Sequence, residues 1–461
     1  MKPSHAASLL LALLPLTAAA LDPFDTESEV AAAAICQPGR EDAVLGLADA
    51  VDAALCANPQ TREAWANARA AAATLGVAEA AWLPTLSASA TTEANRLGGQ
   101  RSDQNSIAAN LSWLVFDFGG RSAAIDSARQ LLAASNATRD ATVQAAFLNA
   151  LQAWYTVHGN RAALAAAQES ERSAGESLKA AEARYKAGVG TPADTLQART
   201  AWSQAQLTRI QAEGNLKTAE GALAAAIGRD AQRPVKIAAL PAIDPPASFE
   251  RDLDALVAEA RRRRPDLRAA EAQLASAQAG ISAARAAGLP NLSLGMSAGR
   301  SSIDNGPSAG SGSIGLTLTV PLFSGFATNY RIRAAEAQAE ARAATRERLS
   351  LQVAQDVWNA WQALTTATQS VRSSADLLAS AEQSEKVARG RYKAGVGSIL
   401  DLLSAQSALA SARQQRVQAL YGWNVSRATL AQAMGSLDLS LLQGDGTPPL
   451  PAAATRESPS K

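Results

Sequence analysis

Histidine and cysteine are almost missing from this chain: its 461 residues contain two of each. His5 lies close to the N-terminus, and His158 falls on a stretch with helical spacing. One interior histidine, far in sequence from Cys36 and Cys56, gives no zinc-ligand set and no activated nucleophile. No Gly-Lys-Ser/Thr phosphate loop and no dinucleotide glycine fingerprint occurs either. The expectation is a protein that is not an enzyme and holds no metal and no cofactor. Aromatic residues are also scarce, 4% against 47% hydrophobic residues overall. The difference is largely alanine, which suits long, closely packed helices better than a large globular core. A net charge of +1 offers no electrostatic case for nucleic acid as a partner.

Long apolar runs are lacking too. Residues 1–20 carry Lys2, an apolar run from Leu9 to Leu14 and small residues at Thr17 to Ala20, the pattern of a cleaved secretory signal. Nothing later approaches the roughly 18 to 20 apolar residues of a membrane-spanning helix. The expectation is export without a transmembrane helix. In an exported chain Cys36 and Cys56 are a disulfide candidate. Ile35 stands where a lipid-attachment signal wants a small residue, which argues against acylation of Cys36.

What is present is a repeat. The string Arg-Tyr-Lys-Ala-Gly-Val-Gly begins at Arg184 and again at Arg391, and the register then holds without a gap to Gly228 and Gly435, with 19 of 45 positions identical. At nearly the same offset Asn58-Pro59 pairs with Arg264-Pro265, Leu83-Pro84 with Leu289-Pro290, and Phe116 with Phe323. Each half reads as a short helix, two strands, a long helix, a glycine turn and a returning helix. The expected divisions are a signal at 1–20, an N-terminal segment at 21–57, a first repeat at 58–228, an irregular proline-rich linker at 229–263, a second repeat at 264–435 and a tail at 436–461. Within the linker, the run Arg261 to Arg264 reads as a solvated face.

The strands alternate with period two. Ile314, Leu316, Leu318, Val320 and Leu322 fall on one face, with Gly315, Thr317, Thr319 and Pro321 on the other. Ile107, Ala109, Leu111, Trp113 and Val115 repeat the pattern in the first half. Runs of about ten such residues fit transmembrane barrel strands and soluble hairpins alike. Four strands cannot close, since the smallest single-chain membrane barrels have about eight, and an open edge in lipid leaves costly unpaired backbone groups. Strands that span a membrane here require partner chains.

The returning helices carry a seven-residue seam, Ala198, Ala205, Ala212, Ala219 and Ala226, matched by Ala405, Ala412, Ala419, Ser426 and Ala433. Small residues at period seven permit close, left-handed packing. Leu216, Leu223 and Ile227, matched by Trp423, Leu430 and Met434, form a second face. Two contact faces suit a helix in the wall of a tube, and an ordinary helical bundle equally.

At the turns, Gly188, Val189, Gly190 and Gly395, Val396, Gly397 precede Asp194 and Asp401. Both carboxylates read either as helix-start residues near the positive end of the dipole or, in a ring of identical subunits, as pore charges that attract cations.

The duplicated turns, the Asn58-Pro59 opening and the run Phe116-Asp117-Phe118-Gly119-Gly120-Arg121 together resemble the outer-membrane efflux family typified by TolC, over nearly the whole chain after the signal. That resemblance implies an α+β fold: four strands per chain sharing an outer-membrane β-barrel in a homotrimer, continued by a long periplasmic α-helical coiled-coil barrel. It also implies contact with outer-membrane lipid, docking of the turns to a periplasmic adaptor of the membrane fusion type, and an inner-membrane ABC transporter or other pump. Tyr392 and Asp401 match the family's tip tyrosine and first ring aspartate, and Asp194 the acidic partner in the other hairpin. Ser404 stands in place of a second ring aspartate and Gly397 in place of a gating arginine. The stretch Asn58 to Ala70, with Cys36 and Cys56, is most similar to the outer-membrane partners of type I toxin secretion. Multidrug efflux, and a periplasmic coiled-coil scaffold without a pore, are the alternatives.

Overall fold

The computed structural model describes residues 22–30, 44–97, 100–233, 235–239, 252–303 and 307–437. The signal, Cys36 and the tail beyond residue 437 lie outside the described residues. The elements run α1 (Leu47–Ala57), α2 (Pro59–Glu79), β1 (Thr85–Leu97), β2 (Gln100–Phe116), α3 (Gly120–Lys186), α4 (Pro192–Ala226), α5 (Leu253–Arg263), α6 (Pro265–Ala286), β3 (Asn291–Ile303), β4 (Ala309–Thr319), α7 (Ala327–Lys393) and α8 (Ile399–Ala433). No helix among them is long and apolar enough to cross a membrane. The chain divides into two compact units. One contains Ala66–Asn136 and Ala269–Thr345, the other Ala33–Trp65, Ala137–Arg268 and Arg346–Lys461.

In the first unit the four strands form one antiparallel sheet in the order β1-β2-β3-β4. Its register sets Leu86, Leu111, Met296 and Ile314 side by side across all four strands, and Ser87, Asn110, Ser297 and Ser313 across the other face. The serine hydroxyls of Ser297 and Ser313 bond at 2.8 Å. Leu86 is 75% and Ile314 69% exposed, so the sheet shows an apolar face that none of the described residues covers. Among the described residues β1 pairs only with β2, and β4 only with β3, which leaves both outer edges with unpaired amides. The strand expected to run to Leu322 stops at Thr319; Pro321 has no N–H to continue the ladder.

Strand gives way to helix differently in the two halves. Arg121, buried at the start of α3, donates to the carbonyls of Leu114, Val115 and Ala81 and lies 4.2 Å over the Trp82 ring, while its own N–H bonds Asp117 at 2.7 Å. At the corresponding place α7 has Thr328, whose hydroxyl meets Ser324 at 3.2 Å.

The second unit packs its helices around several apolar clusters, of which two are large. One includes Leu151, Trp154, Leu223 and Ile227, the other Val353, Val357, Trp423 and Leu430. Ala198, Ala219, Ala226, Ala405, Ala412 and Ala433 of the alanine seam are all buried. His158 is buried with its ring 4.1 Å from Trp154. Burial, then the nearby Arg161 charge, hold its pKa below the ordinary histidine value.

The two returning helices end in the same way. Gly228 takes φ +76°, and the N–H of Arg229 reaches back to the Ala224 carbonyl at 2.8 Å, a Schellman ending. Asn58, between α1 and α2, caps that end by donating to the Ala226 carbonyl at 3.1 Å and accepts the Gln60 N–H at 2.8 Å. At the end of α8 Gly435 repeats the turn with φ +69°. There Arg264 replaces Asn58 and bonds Asp266 at 3.0 and 2.6 Å and Asp356 at 2.7 Å.

Two expectations are corrected in this unit. The linker is not wholly irregular, because Asp252 caps α5 by accepting the Asp254 N–H, and Leu256 and Ala260 bury one face of that helix. The arginine run is not wholly a solvated face either: Arg264 is 8% exposed, drawn in by its two aspartates. α5 corresponds to α1 ahead of the first repeat, so the duplicated unit begins one helix earlier than the recognisable identities do.

Candidate functional site at the paired helix turns

The two turns of the second unit are built alike. Gly188 and Gly395 take φ +73° and +78°, a region that costs any residue with a Cβ. The N–H of Val189 bonds the Arg184 carbonyl and that of Val396 the Arg391 carbonyl, both at 3.0 Å. Gly190 and Gly397 lie so close to the preceding turn that a Cβ would stand 3.0 Å from the Tyr185 nitrogen or the Arg391 Cβ. The glycine at 397 is therefore part of the turn itself, and any side chain there would require the preceding turn to give by a few tenths of an ångström. Val189 and Val396 are 66% and 69% exposed.

Each following helix opens with a capping box. The Thr191 hydroxyl accepts the Asp194 N–H at 3.2 Å while Asp194 accepts the Thr191 N–H at 3.0 Å. Ser398 and Asp401 exchange the same pair of bonds at 3.0 and 3.4 Å. Both aspartates thus serve the helix starts, with one oxygen engaged and the other open. Asp194 is half-buried; Asp401 and Ser404 are exposed.

The tyrosines break the symmetry. Tyr185 is 49% exposed, whereas Tyr392 is 6% exposed, packed among Leu178, Ala181, Ala198, Ile399 and Leu402. Tyr392 is thus set inside the chain and not presented to solvent beside Asp401. Burial raises its pKa, with the Arg184 charge opposing and the Asp194 charge reinforcing. Arg184 ties the two turns together: it donates to the Tyr392 carbonyl at 3.0 Å and lies 5.1 Å from the ring centroid. Sequence reading missed this arginine because Arg184 and Arg391 sit in identical strings, and only the packing separates them. Cys56, at the end of α1, is not a free thiol; Cys36 lies outside the described residues. No group of acidic, histidine or cysteine side chains among the described residues forms a metal site.

Long helices joined by buttressed turns, and a sheet with an exposed apolar face, are the parts of an outer-membrane channel subunit with a large periplasmic portion. The chain belongs to the family described as outer membrane efflux protein, which matches residues 50–229 and 256–436. Among curated relatives it is 34% identical to protein CyaE of Bordetella pertussis over 411 residues, 87% of this chain and 86% of CyaE. It is 30% identical to the toluene efflux pump outer membrane protein TtgI of Pseudomonas putida over 407 residues, 84% of each chain. The Campylobacter jejuni CmeC outer membrane channel shares the fold, with a TM-score of 0.75 at 20% identity over 87% of this chain and 89% of CmeC. The protein is therefore a non-enzymatic outer-membrane channel component of a tripartite export system. The scaffold without a pore is set aside.

Proposed function

We propose that this channel is the exit duct of a type I secretion system, passing an unfolded, toxin-like polypeptide from an inner-membrane ABC transporter, through a periplasmic adaptor, to the exterior. The 34% identity to CyaE over most of both chains carries the reading. The similarity of the Asn58 to Ala70 stretch and the Cys36 and Cys56 pair to toxin-secretion partners supports it. In a strain deleted for the gene, the secreted polypeptide should vanish from the medium while drug sensitivity stays unchanged. A polypeptide still secreted, with sensitivity raised, moves the assignment to small-molecule efflux, the reading that the similarity to TtgI favours.

The working unit is a homotrimer, for which the two unpaired sheet edges argue, and the exposed valines of the Gly-Val-Gly turns meet the adaptor. Cys36 and Cys56 form a disulfide. Asp401, with Asp194 and Ser404, forms the constriction, and Tyr392 braces the turn from inside the chain. Asp401→Asn keeps an acceptor for the Ser398 N–H and removes the charge. A unit charge about 4 Å away in water is worth about 1 kcal/mol, so cation preference measured by reversal potential in planar bilayers should fall about five-fold. Unchanged selectivity removes Asp401 from the constriction.

A further inference from the structure

The second unit holds a groove of about 980 Å³ between α3, α4, α7 and α8. Helix α4 lines it with Gln204, Thr208, Gln211 and Asn215. Helix α8 lines it with Ser407, Ser411, Gln414 and Gln418. Each set follows i, i+4, i+7, i+11, the spacing of one helical face, and all of these residues are exposed. Neither stripe carries a charge. The floor on α3 is small, with Gly159, Ala163 and Ala166. None of the carboxamides in the stripes has a side-chain hydrogen bond among the described residues. Of the charged groups elsewhere in the lining, Glu385 is paired with Arg389 at 2.6 Å and Glu169 with Arg172, while Glu382 and Arg413 also line the groove.

Two rows of uncharged polar side chains, their carboxamides unpartnered, contrast with charges such as Arg199 and Lys217 that α4 exposes elsewhere. A carboxamide offers both a donor and an acceptor, as every peptide group does. We propose that this trough is a binding track for an extended, unfolded polypeptide in transit, engaging its backbone amides whatever its side-chain charge. The inference rests on the secretion reading and names the surface that the cargo touches. The eleven-residue step along each stripe spans about 17 Å, the length of about five extended residues. Uncharged groups hold each such segment loosely enough to release it to the next.

The test uses the full-length protein in planar bilayers with a neutral unfolded peptide of Gly, Ser, Thr and Asn, about 30 residues or about 100 Å extended. Polyethylene glycol of the same hydrodynamic size is the control. In the wild type the peptide should block current for longer than the polymer does. In the double variant Gln211→Leu/Gln414→Leu the ratio of peptide to polymer dwell time should fall about ten-fold, the effect of losing one to two net hydrogen bonds. An unchanged ratio overturns the proposal. So does a wild-type channel that holds peptide and polymer equally. A photo-reactive benzoylphenylalanine replacing Gln211 should crosslink to the peptide; crosslinking only to a second copy of the chain places the groove in a subunit interface and overturns it as well. Failure of the secretion reading shows instead in the deletion strain and leaves these dwell times unaffected.

Discussion

Replacing Gly228 by alanine should destabilise the protein by about 3 kcal/mol or more, because a left-handed backbone cost of about 1–2 kcal/mol adds to an overpacking cost of similar size. The added Cβ would stand 2.6 Å from the Ala57 carbonyl oxygen and 3.0 Å from the Ala57 Cβ, with φ fixed at +76°. Two other glycines separate the contributions. Gly188 has φ +73° and nothing within 4 Å of an added Cβ, so Gly188→Ala isolates the backbone cost. Gly214 lies inside α4 with open space around it, and Gly214→Ala should stabilise by about 0.5–1 kcal/mol. Thermal or urea unfolding of the detergent-solubilised protein measures all three. A Gly228→Ala protein no less stable than Gly188→Ala would show that the end of α4 does not abut the α1–α2 junction as described.

The second large effect belongs to Arg264. Arg264→Ala removes the cation shared by Asp266 and Asp356 and leaves two carboxylates, 31% and 33% exposed, facing the gap. Breaking a buried pair costs 3–5 kcal/mol; the partial exposure of the aspartates puts this one at about 3 kcal/mol. The loss should depend on pH. Burial works to raise the pKa of Asp266, but the hydrogen bonds and charge of Arg264 outweigh it and hold the carboxyl below its ordinary range. A depressed folded-state value means stability that is present above the unfolded value, about 3.9, and is lost as pH falls through the folded value. Without the arginine that contribution is already gone, so the deficit of the variant should narrow as pH drops below about 4. A deficit that is constant from pH 7 to pH 3 would mean that Arg264 acts by packing and not by charge.

Much of this structure was legible in periodicity and repetition. Each half runs through short helix, two strands, long helix, turn and returning helix in the order that glycine, proline and periodicity give, since those signals are local. The alternation of Ile314 to Val320 announced a sheet with one apolar face for the same reason. What escaped reading depends on distant neighbours. α5 is a three-turn helix whose apolar face, Leu256 and Ala260, is overwritten in sequence by a run of arginines. Arg264 reads as solvated until Asp356, 92 residues away, is seen beside it. Tyr185 and Tyr392 share one motif and differ in exposure because only the second meets Ile399 and Leu402; Pro192 and Thr195 stand at the equivalent first-copy positions. Local chemistry located the candidate site, and long-range packing decided which side of it each residue occupies.

The two bare edges of the sheet also bear on biogenesis. A lone chain entering a bilayer would carry β1 and β4 with rows of unpaired amides into hydrocarbon, at several kcal/mol for each group. Insertion is therefore a collective event whose rate rises steeply with the local number of chains. Subunits made faster than they meet have no stable resting place, and the same edges that complete a barrel become the route to aggregation.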